Sequence, residues 1–336
     1  MKLIIDAMGS DNAPLEIVKG ALSGQKRWGV DVTLTGDTTA ILQALEACGE
    51  KTLPQGMEIV HTTETVEMCD DPATVFRRKK DTSMGVGLTM LRDGRADAMV
   101  SAGSTGALHV GASLIVRTLK GVKRPALATM VPAKNKAYLL LDCGANVECR
   151  PEMLAAFAVM GSCYVNKVEG RTAPTVALAN NGAEESKGTP MLREAHQLLK
   201  ATPGIRFVGN IEPRDVPNGD VDVVVCDGFT GNVQLKTIEG VAKFMSKEIK
   251  GVFMASVGTK LGYLLCKKGM DDFREVFNQD KIGGAPFLGI AKPVIKAHGS
   301  SNEIAVMNAV RQAIAYTKSG MIDAVKENIQ YMTVSE

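Results

Sequence analysis

Residues 223–225 are three consecutive valines, and the run stops at once on Cys226, Asp227 and Gly228. A strand with one wet face would alternate apolar and polar side chains. A run of β-branched residues with no alternation needs cover on both faces, which sheets obtain from crossover helices. The pattern recurs along the 336-residue chain. Comparable strand-like runs are LIID (3–6), VTLTG (32–36), MEIVHT (57–62), DAMVSA (97–102), AYLLLDC (137–143), TVALAN (175–180), IRFVGN (205–210) and DVVVCD (222–227). Longer stretches of helical periodicity lie between them. Strand–helix alternation predicts an α/β chain built on a largely parallel sheet. No repeat, low-complexity stretch or Pro/Ser-rich linker divides it, so the chain reads as one compact unit over 1–336, with a weak break near 170–175.

Five of the predicted strands end in one grammar. Asp6, Gly9, Ser10 and Asp11 follow the first; Gly103, Ser104, Thr105 and Gly106 follow the fourth. Asp142, Gly144 and Asn146 close another, Asn181 and Lys187 follow TVALA, and Asp227, Gly228, Gly231, Asn232 and Lys236 follow the valines. In a parallel sheet the carboxyl ends share an edge, where ligands bind. Glycine lets backbone amides approach a ligand, and helix N-termini attract anions. Any one such loop is ordinary turn and capping chemistry; five together, two with lysines, point to an anion site.

The anion is not bound by a standard nucleotide apparatus. The chain has no G-x-x-x-x-G-K-[ST], no G-x-G-x-x-G after its first strand, no H-E-x-x-H and no G-x-S-x-G. Its 39 basic and 37 acidic residues nearly balance and aromatics make up 4%, which argues against general nucleic-acid binding. The seven cysteines form no C-x-x-C pair, so neither a disulfide framework nor a metal site is expected. Cys143 and Cys226 lie beside aspartates at strand ends, yet neither has a histidine near it in sequence, and packing is their default role. The start is interrupted by Asp6 and does not read as a signal peptide, and no apolar run reaches membrane-span length. The chain reads as cytoplasmic.

Seven stretches together resemble one family: DAMGSDNAP (6–14), SAGSTGA (101–107), LLDCGANVECRPE (140–152), NNGAEESKGT (180–189), CDGFTGN (226–232), GGAPFLG (283–289) and IKAHGSSN (295–302). The family is bacterial phosphate acyltransferase, and the matches run in order across nearly the whole chain. Ser104 departs from the family pattern, which usually has Asn there; serine keeps a hydrogen-bonding group. The resemblance implies a three-layer αβα fold related to phosphotransacetylases and to the isocitrate/isopropylmalate dehydrogenase-like group. It implies transfer of a long acyl group from acyl carrier protein to inorganic phosphate, without a cofactor, by a homodimer. A membrane glycerol-3-phosphate acyltransferase would then consume the acyl phosphate.

That chemistry needs an anion held beside a thioester and a donor for the oxyanion. Lys187 and the glycine-loop amides are the phosphate candidates, and Asn232 is the neutral donor. Lys236, four residues on, shares Asn232's helix face. His298 is the acid/base candidate among four histidines; His61, His109 and His196 have no motif context. Arg77, Arg78, Lys79 and Lys80 form a basic run suited to docking an acidic carrier protein, or a plain solvated helix face. Residues 243–268 read as a basic amphipathic helical segment, broken near Gly258, for dimer or membrane contact. Val252, Phe253, Met254, Val257 and Leu261 are its candidate lipid-facing residues, peripheral on the inner face of the cell membrane. Three other readings compete: a phosphotransacetylase using short acyl-CoA, a hydroxy-acid dehydrogenase, and a non-catalytic membrane-surface scaffold.

Overall fold

The computed structural model describes residues 1–276 and 283–331. In chain order its elements are β1 (Lys2–Asp6), α1 (Leu15–Trp28), β2 (Asp31–Gly36), α2 (Thr38–Ala47), β3 (Met57–His61), α3 (Val75–Arg78), α4 (Ser83–Arg92), β4 (Ala98–Ser101) and α5 (Thr105–Gly111). Next come β5 (Ala126–Val131), β6 (Tyr138–Leu141), α6 (Pro151–Lys167), β7 (Thr175–Ala179), α7 (Pro190–Ala201), β8 (Arg206–Ile211) and β9 (Val223–Val225). The chain continues with α8 (Gly228–Met254), α9 (Val257–Val276), β10 (Ala285–Leu288), β11 (Val294–Lys296), α10 (Glu303–Lys318) and α11 (Met321–Glu327).

All eight expected runs contain strands, and their side chains explain the lack of alternation. Leu3 and Ile5 of β1 enter one core cluster while Ile4 enters the other. Leu139 and Leu141 are likewise separated from Leu140, and Val223 and Val225 from Val224. These central strands are therefore apolar on both faces because helices cover both, giving an αβα sandwich. On one face α1 packs so closely on α10 that a Cβ at Gly20 would lie 2.4 Å from Val306 Cβ.

The eleven strands form one sheet in the order β3-β2-β1-β4-β11-β10-β5-β6-β9-β7-β8. The expectation that all strand ends share one edge is corrected here. β3, β2, β1, β4 and β11 run parallel, but β10 is antiparallel to both β11 and β5, and β5 is antiparallel to β6. β6, β9, β7 and β8 therefore run opposite to the first group. The reversal is carried by β5, β10 and β11, none of which the apolar-run pattern predicts. β10 and β5 overlap only at Phe287–Leu127 and Leu288–Ala126, so the two opposed sets of carboxyl ends stop a few residues apart at the sheet centre.

The 170–175 stretch joins α6 to β7 and is tied down by one carboxylate. Asp222 Oδ1 accepts from Lys136 Nζ at 2.6 Å and Arg171 Nη1 at 3.0 Å. Its Oδ2 accepts from the Thr175 amide and hydroxyl, each at 2.9 Å. Desolvation pushes this carboxyl upward, but Lys136, the Thr175 amide, Arg171 and the Thr175 hydroxyl together hold it well below the usual range.

α8 is unlike the other helices. It has 27 residues, about 40 Å at 1.5 Å per residue, but its buried residues, Gly228, Gly231 and Gln234, all lie in the first two turns. Beyond them it leaves the body, and α9 returns against it with Phe253 and Tyr263 in edge contact at 5.4 Å. The break between them falls at Ala255–Ser256, near Gly258, where Ser256 Oγ accepts from the Thr259 amide while Thr259 Oγ1 accepts from the Ser256 amide. None of the described helices is long and apolar enough to cross a membrane.

Asp222→Asn should cost about 3 kcal/mol at neutral pH, since it leaves two cations facing a neutral amide. A carboxyl with a depressed native pKa stabilises above its unfolded value and loses that contribution as pH falls through the native one. The wild-type–variant difference in urea midpoint should therefore narrow as pH falls below the ordinary aspartate range; a constant difference would contradict this assignment.

Candidate active site

A cleft of ≈ 860 Å³ opens at the sheet centre, where the two opposed halves meet. Four segments build it: the loop after β4, β5 with the loop after β6, one stripe of α8, and the β10–β11 region with residues 297–300. Its two sides differ in chemistry. One wall is largely apolar, with Leu127 and Val131 of β5 facing Leu235, Ile238 and Ala242 of α8. The other side carries Asp11, Lys296 and His298, with Lys236 and Glu239 across from them on α8.

Of the sequence candidates, Asp11, Gly103, Thr105, Gly144, Asn232, Lys236 and His298 line this cleft. Asn232 and Lys236 do share one helix face. Lys236 Nζ is paired with Glu239 at 2.9 Å, within the cleft wall. His298 stands at the rim, with Nδ1 2.8 Å from Ser300 Oγ and accepting the Ser300 amide at 3.2 Å. The neutral ring therefore carries its proton on Nε2. Partial burial, then the nearby Lys236 and Lys296 charges, lower its pKa.

Other candidates hold the loops instead of facing the cleft. The buried Asp142 carboxylate accepts the amides of Gly144, Ala145 and Asn146 at 3.1, 2.9 and 2.7 Å. It also takes the Leu127 amide at 3.2 Å and Asn146 Nδ2 at 2.7 Å, so these amides are not directed at a ligand. Burial raises the Asp142 pKa, and the loop donors oppose that rise. Asp227 caps α8, its Oδ1 accepting the Thr230 amide and its Oδ2 the Thr230 hydroxyl, both at 2.8 Å. Ser104 caps α5 through the Ala107 amide at 3.4 Å, and Ser10 accepts the Asn12 amide at 3.3 Å. Gly106 is exposed beside Pro72.

The glycines at the loop crossings are there for contact. A Cβ on Gly9 would sit 2.8 Å from Gly103 Cα and from Asp6 Oδ2. The Gly228 amide donates to the Asn146 carbonyl at 2.7 Å, and a Cβ on Gly231 would fall 2.0 Å from the Asp142 carbonyl oxygen. The acid and two glycines that follow the valines are thus explained: Asp227, Gly228 and Gly231 dock α8 onto the loop after β6. Asn232 and Lys236 are carried to the cleft as a result.

The structure places several candidates outside the cleft. Lys187 and Asn181 are exposed on the β7–α7 loop, away from the cleft, because β9 stands between β7 and β6. The loop folds back on itself, Asn180 Nδ2 donating to the Lys187 carbonyl at 3.2 Å. Lys79 is not part of an open basic patch; it pairs with Asp70 at 2.6 Å and donates to the Thr65 carbonyl at 3.1 Å. Arg77, Arg78 and Lys80 are exposed. Cys143 and Cys226 are buried, and desolvation drives both thiols well above their ordinary pKa, which suits packing and not nucleophilic attack.

One functional candidate escaped the sequence reading. Lys296 ends β11, lines the cleft and is 8% exposed. Its Nζ donates to the main-chain carbonyls of Ala102 and Ala297. Burial lowers its pKa to about 8, with Asp6 opposing and Lys236 adding to the effect. Asp6 lies beneath, its Oδ2 taking the Ser101 hydroxyl at 2.6 Å, and desolvation raises its pKa. The available signal was a lysine closing the apolar run VIK just before a glycine loop.

Comparison with known proteins gives consistent results. The family described as "Fatty acid synthesis protein" matches residues 1–324. A phosphate acyltransferase of Lactococcus lactis subsp. lactis (strain IL1403) is 45% identical over 336 residues, covering 99% of this chain and 99% of that one. One from Clostridium novyi (strain NT) is 42% identical over 334 residues, covering 98% and 99%. Among solved structures, a phosphotransacetylase from Streptococcus pyogenes superposes with a TM-score of 0.63 at 17% identity, covering 94% of each chain. A 4-hydroxythreonine-4-phosphate dehydrogenase from Klebsiella pneumoniae gives 0.54 at 12% identity, covering 95% and 99%. At such identities these two establish the fold alone.

Gly231→Ala should destabilise the protein by about 2 kcal/mol and move the start of α8, because the added methyl meets backbone and cannot be relieved by a rotamer change. Gly240→Ala, on an open part of the same helix, has nothing within 4 Å of its Cβ and should be neutral or slightly stabilising. Equal melting temperatures for the two variants would contradict the docking role of Gly231.

Proposed function

The chain belongs to the phosphate acyltransferase family, and on that premise we propose that it transfers a long-chain acyl group from acyl carrier protein to inorganic phosphate. It is an acyltransferase whose reaction involves phosphate; the donor and the chain length are our reading. The observation that carries it is the two-sided cleft, with a polar, lysine-bearing side and an apolar wall along α8. The apolar positions of the α8 stripe, Leu235, Ile238 and Ala242, span about 10 Å, with Lys236, Glu239, Lys243 and Ser246 beside them. Each methylene removed from water along such a wall contributes about 0.8 kcal/mol, a gain that an acetyl group cannot draw on. A short-acyl transferase has no use for that length of apolar wall.

In this reading the acyl chain lies between β5 and α8, and its thioester carbonyl reaches the polar side near Asn232. A phosphate oxygen attacks that carbonyl directly. The carbon–sulfur bond breaks, the thiolate leaves with its electron pair, and the proton of monohydrogen phosphate ends on sulfur. Asn232 donates to the developing oxyanion, Lys236 adds positive potential, and His298 Nε2–H is a neutral donor at the rim. Asp6, Asp142 and Asp227 act through the loops they hold. Substrate gathers no positive charge from Lys187 in this scheme.

The hairpin of α8 and α9 supports a surface role. Val252, Val257, Leu261, Leu264 and Leu265 are exposed by 66, 76, 60, 67 and 90%. Lys247, Lys250, Lys260, Lys267 and Lys268 surround them. An anionic lipid surface, a second copy of the chain, or both would cover these side chains. A homodimer and peripheral attachment to the inner face of the membrane fit this surface, where a membrane glycerol-3-phosphate acyltransferase would receive the product. Arg77, Arg78 and Lys80 remain the docking candidates for the acidic carrier protein.

The central test is incubation with palmitoyl-acyl carrier protein, with and without inorganic phosphate, trapping product with hydroxylamine. Phosphate-dependent hydroxamate with release of carrier thiol is expected. Turnover with acetyl-CoA but not with the carrier donor would replace this reading with a phosphotransacetylase. Asn232→Ala should lower kcat by about 10²–10³, and wild-type turnover would remove Asn232 from the mechanism. In liposome sedimentation, Val257→Glu with Leu261→Glu should abolish binding to anionic vesicles, and high salt should weaken wild-type binding. Equal sedimentation of both proteins would refute lipid contact at the hairpin tip.

A further inference from the structure

A buried ammonium is expensive to hold. Its loss of hydration amounts to several kcal/mol and is normally offset by a carboxylate partner. Lys296 is buried without one: among the described residues it forms no ion pair, and its Nζ is met by two main-chain carbonyl oxygens. The other charged groups of the cleft are arranged differently. Lys236 is already paired with Glu239, and both Lys236 and Lys243 are exposed along α8. Asp6 acts on Lys296 through space while its Oδ2 takes the Ser101 hydroxyl.

The position of Lys296 is as informative as its burial. It pairs with Ser101 across β4 and with Ala285 across β10, so it ends its strand at the centre of the sheet, where the halves reverse. One of its acceptors, the Ala102 carbonyl, begins the glycine loop whose Gly103 touches Gly9. The lysine is thus held by the loop after β4 and by its own chain at Ala297, on the polar side of the cleft that Asn232 also lines. A cation fixed there and left unpaired is a binding element for an incoming anion.

We propose that Lys296 holds the attacking inorganic phosphate at the floor of the cleft, its ammonium meeting a phosphate oxygen other than the one that attacks. The proposal rests on the acyl-transfer reading above and gives that reaction its phosphate site, which the sequence pattern had assigned to Lys187. The groups that face Lys296 set the pH behaviour: Asp6 from β1, Asp11 from the β1–α1 loop, Lys236 with Glu239 from α8, and His298 from the loop after β11. Asp6 and Asp11 favour the ammonium, and desolvation and Lys236 oppose it. Below about pH 8 the free lysine is charged and binds the phosphate dianion; as pH rises past that value the charge, and the affinity, are lost. Bound phosphate stabilises the ammonium, so the alkaline limb belongs to kcat/KM for phosphate and fades in kcat.

The test combines steady-state kinetics with calorimetric titration of inorganic phosphate in the absence of any acyl donor. Lys296→Met should raise the phosphate KM at least about 30-fold and remove the calorimetric signal, while the KM for the acyl donor changes less than about twofold. Lys296→Arg should recover part of the phosphate affinity and shift the alkaline limb upward, because guanidinium does not titrate there. A phosphate KM within twofold of wild type in Lys296→Met would overturn the proposal. So would a rise confined to the donor KM, which would assign the lysine to the phosphodiester of the carrier's prosthetic arm. If the methionine variant does not fold, phosphate protection of wild-type Lys296 from reductive methylation, read by mass spectrometry, decides the matter: slowing at Lys296 but not at Lys243 is expected, and no slowing overturns it. Phosphate binding at Lys296 without acyl phosphate formation would instead retain the site and remove the acyl-transfer reading.

Discussion

The carboxylate of Asp142 is the interaction on which the centre of the molecule depends. It sits where β6 stops beside β5, at the reversal of the sheet, and accepts four backbone amides and one side-chain amide. Three of those amides form the turn that ends in Asn146, whose carbonyl then receives the Gly228 amide at the start of α8. The Asp142 carbonyl, in turn, lies against Gly231. One buried acid therefore joins β5, the loop after β6 and the base of α8. An unpaired acid there would face the full desolvation cost; five donors make its burial tolerable and fix the loop in one arrangement.

The outer parts of the fold were legible for a simple reason. Strands covered on both faces are apolar throughout, and several of the eight runs declare themselves in that way; the others are marked by β-branched residues between turn signals. The three that do not are short and do different work. β5 is bounded by Pro125 and Pro132, β10 contains Pro286, and β11 is only three residues long and ends in lysine. Their pairing depends on partners distant in sequence, so no local pattern reveals that they reverse the sheet. Because the reversal was not legible, a single parallel edge was expected for all five loops. Lys187 does share an edge with the loops after β6 and β9, but β9 stands between β7 and β6 and the lysine faces solvent.

The candidate site divides along the same line. Asn232 and Lys236 were legible because a helix register brings positions four apart to one face. The aspartates were legible as caps, and Asp227 fills that role. Lys296 was hidden by its own burial: a lysine closing a short apolar run reads as the polar end of a strand, and only the surrounding loops turn it toward a cavity. The loop glycines were correctly singled out, but for a different purpose. They permit backbone to pack on backbone, Gly9 on Gly103 and Gly231 on the Asp142 carbonyl, and so shape the floor beneath the ligand.

α8 joins two surfaces that have opposite demands. Its first turns are fastened by Asp227, Gly228 and Gly231 and contribute Asn232 and Lys236 to a polar site. Its later turns leave the body and end among apolar side chains open to solvent. A product of the proposed reaction has the same division, a charged acyl phosphate head and a hydrocarbon tail. Releasing such a tail into water costs about 0.8 kcal/mol for each exposed methylene, so affinity for the tail would also slow its departure. One helix thus begins at the head-group end of the cleft and ends at an apolar surface. In the proposed function the exposed residues at its tip would be the counterpart of the cleft, since handing the tail to a lipid phase removes the cost of wetting it.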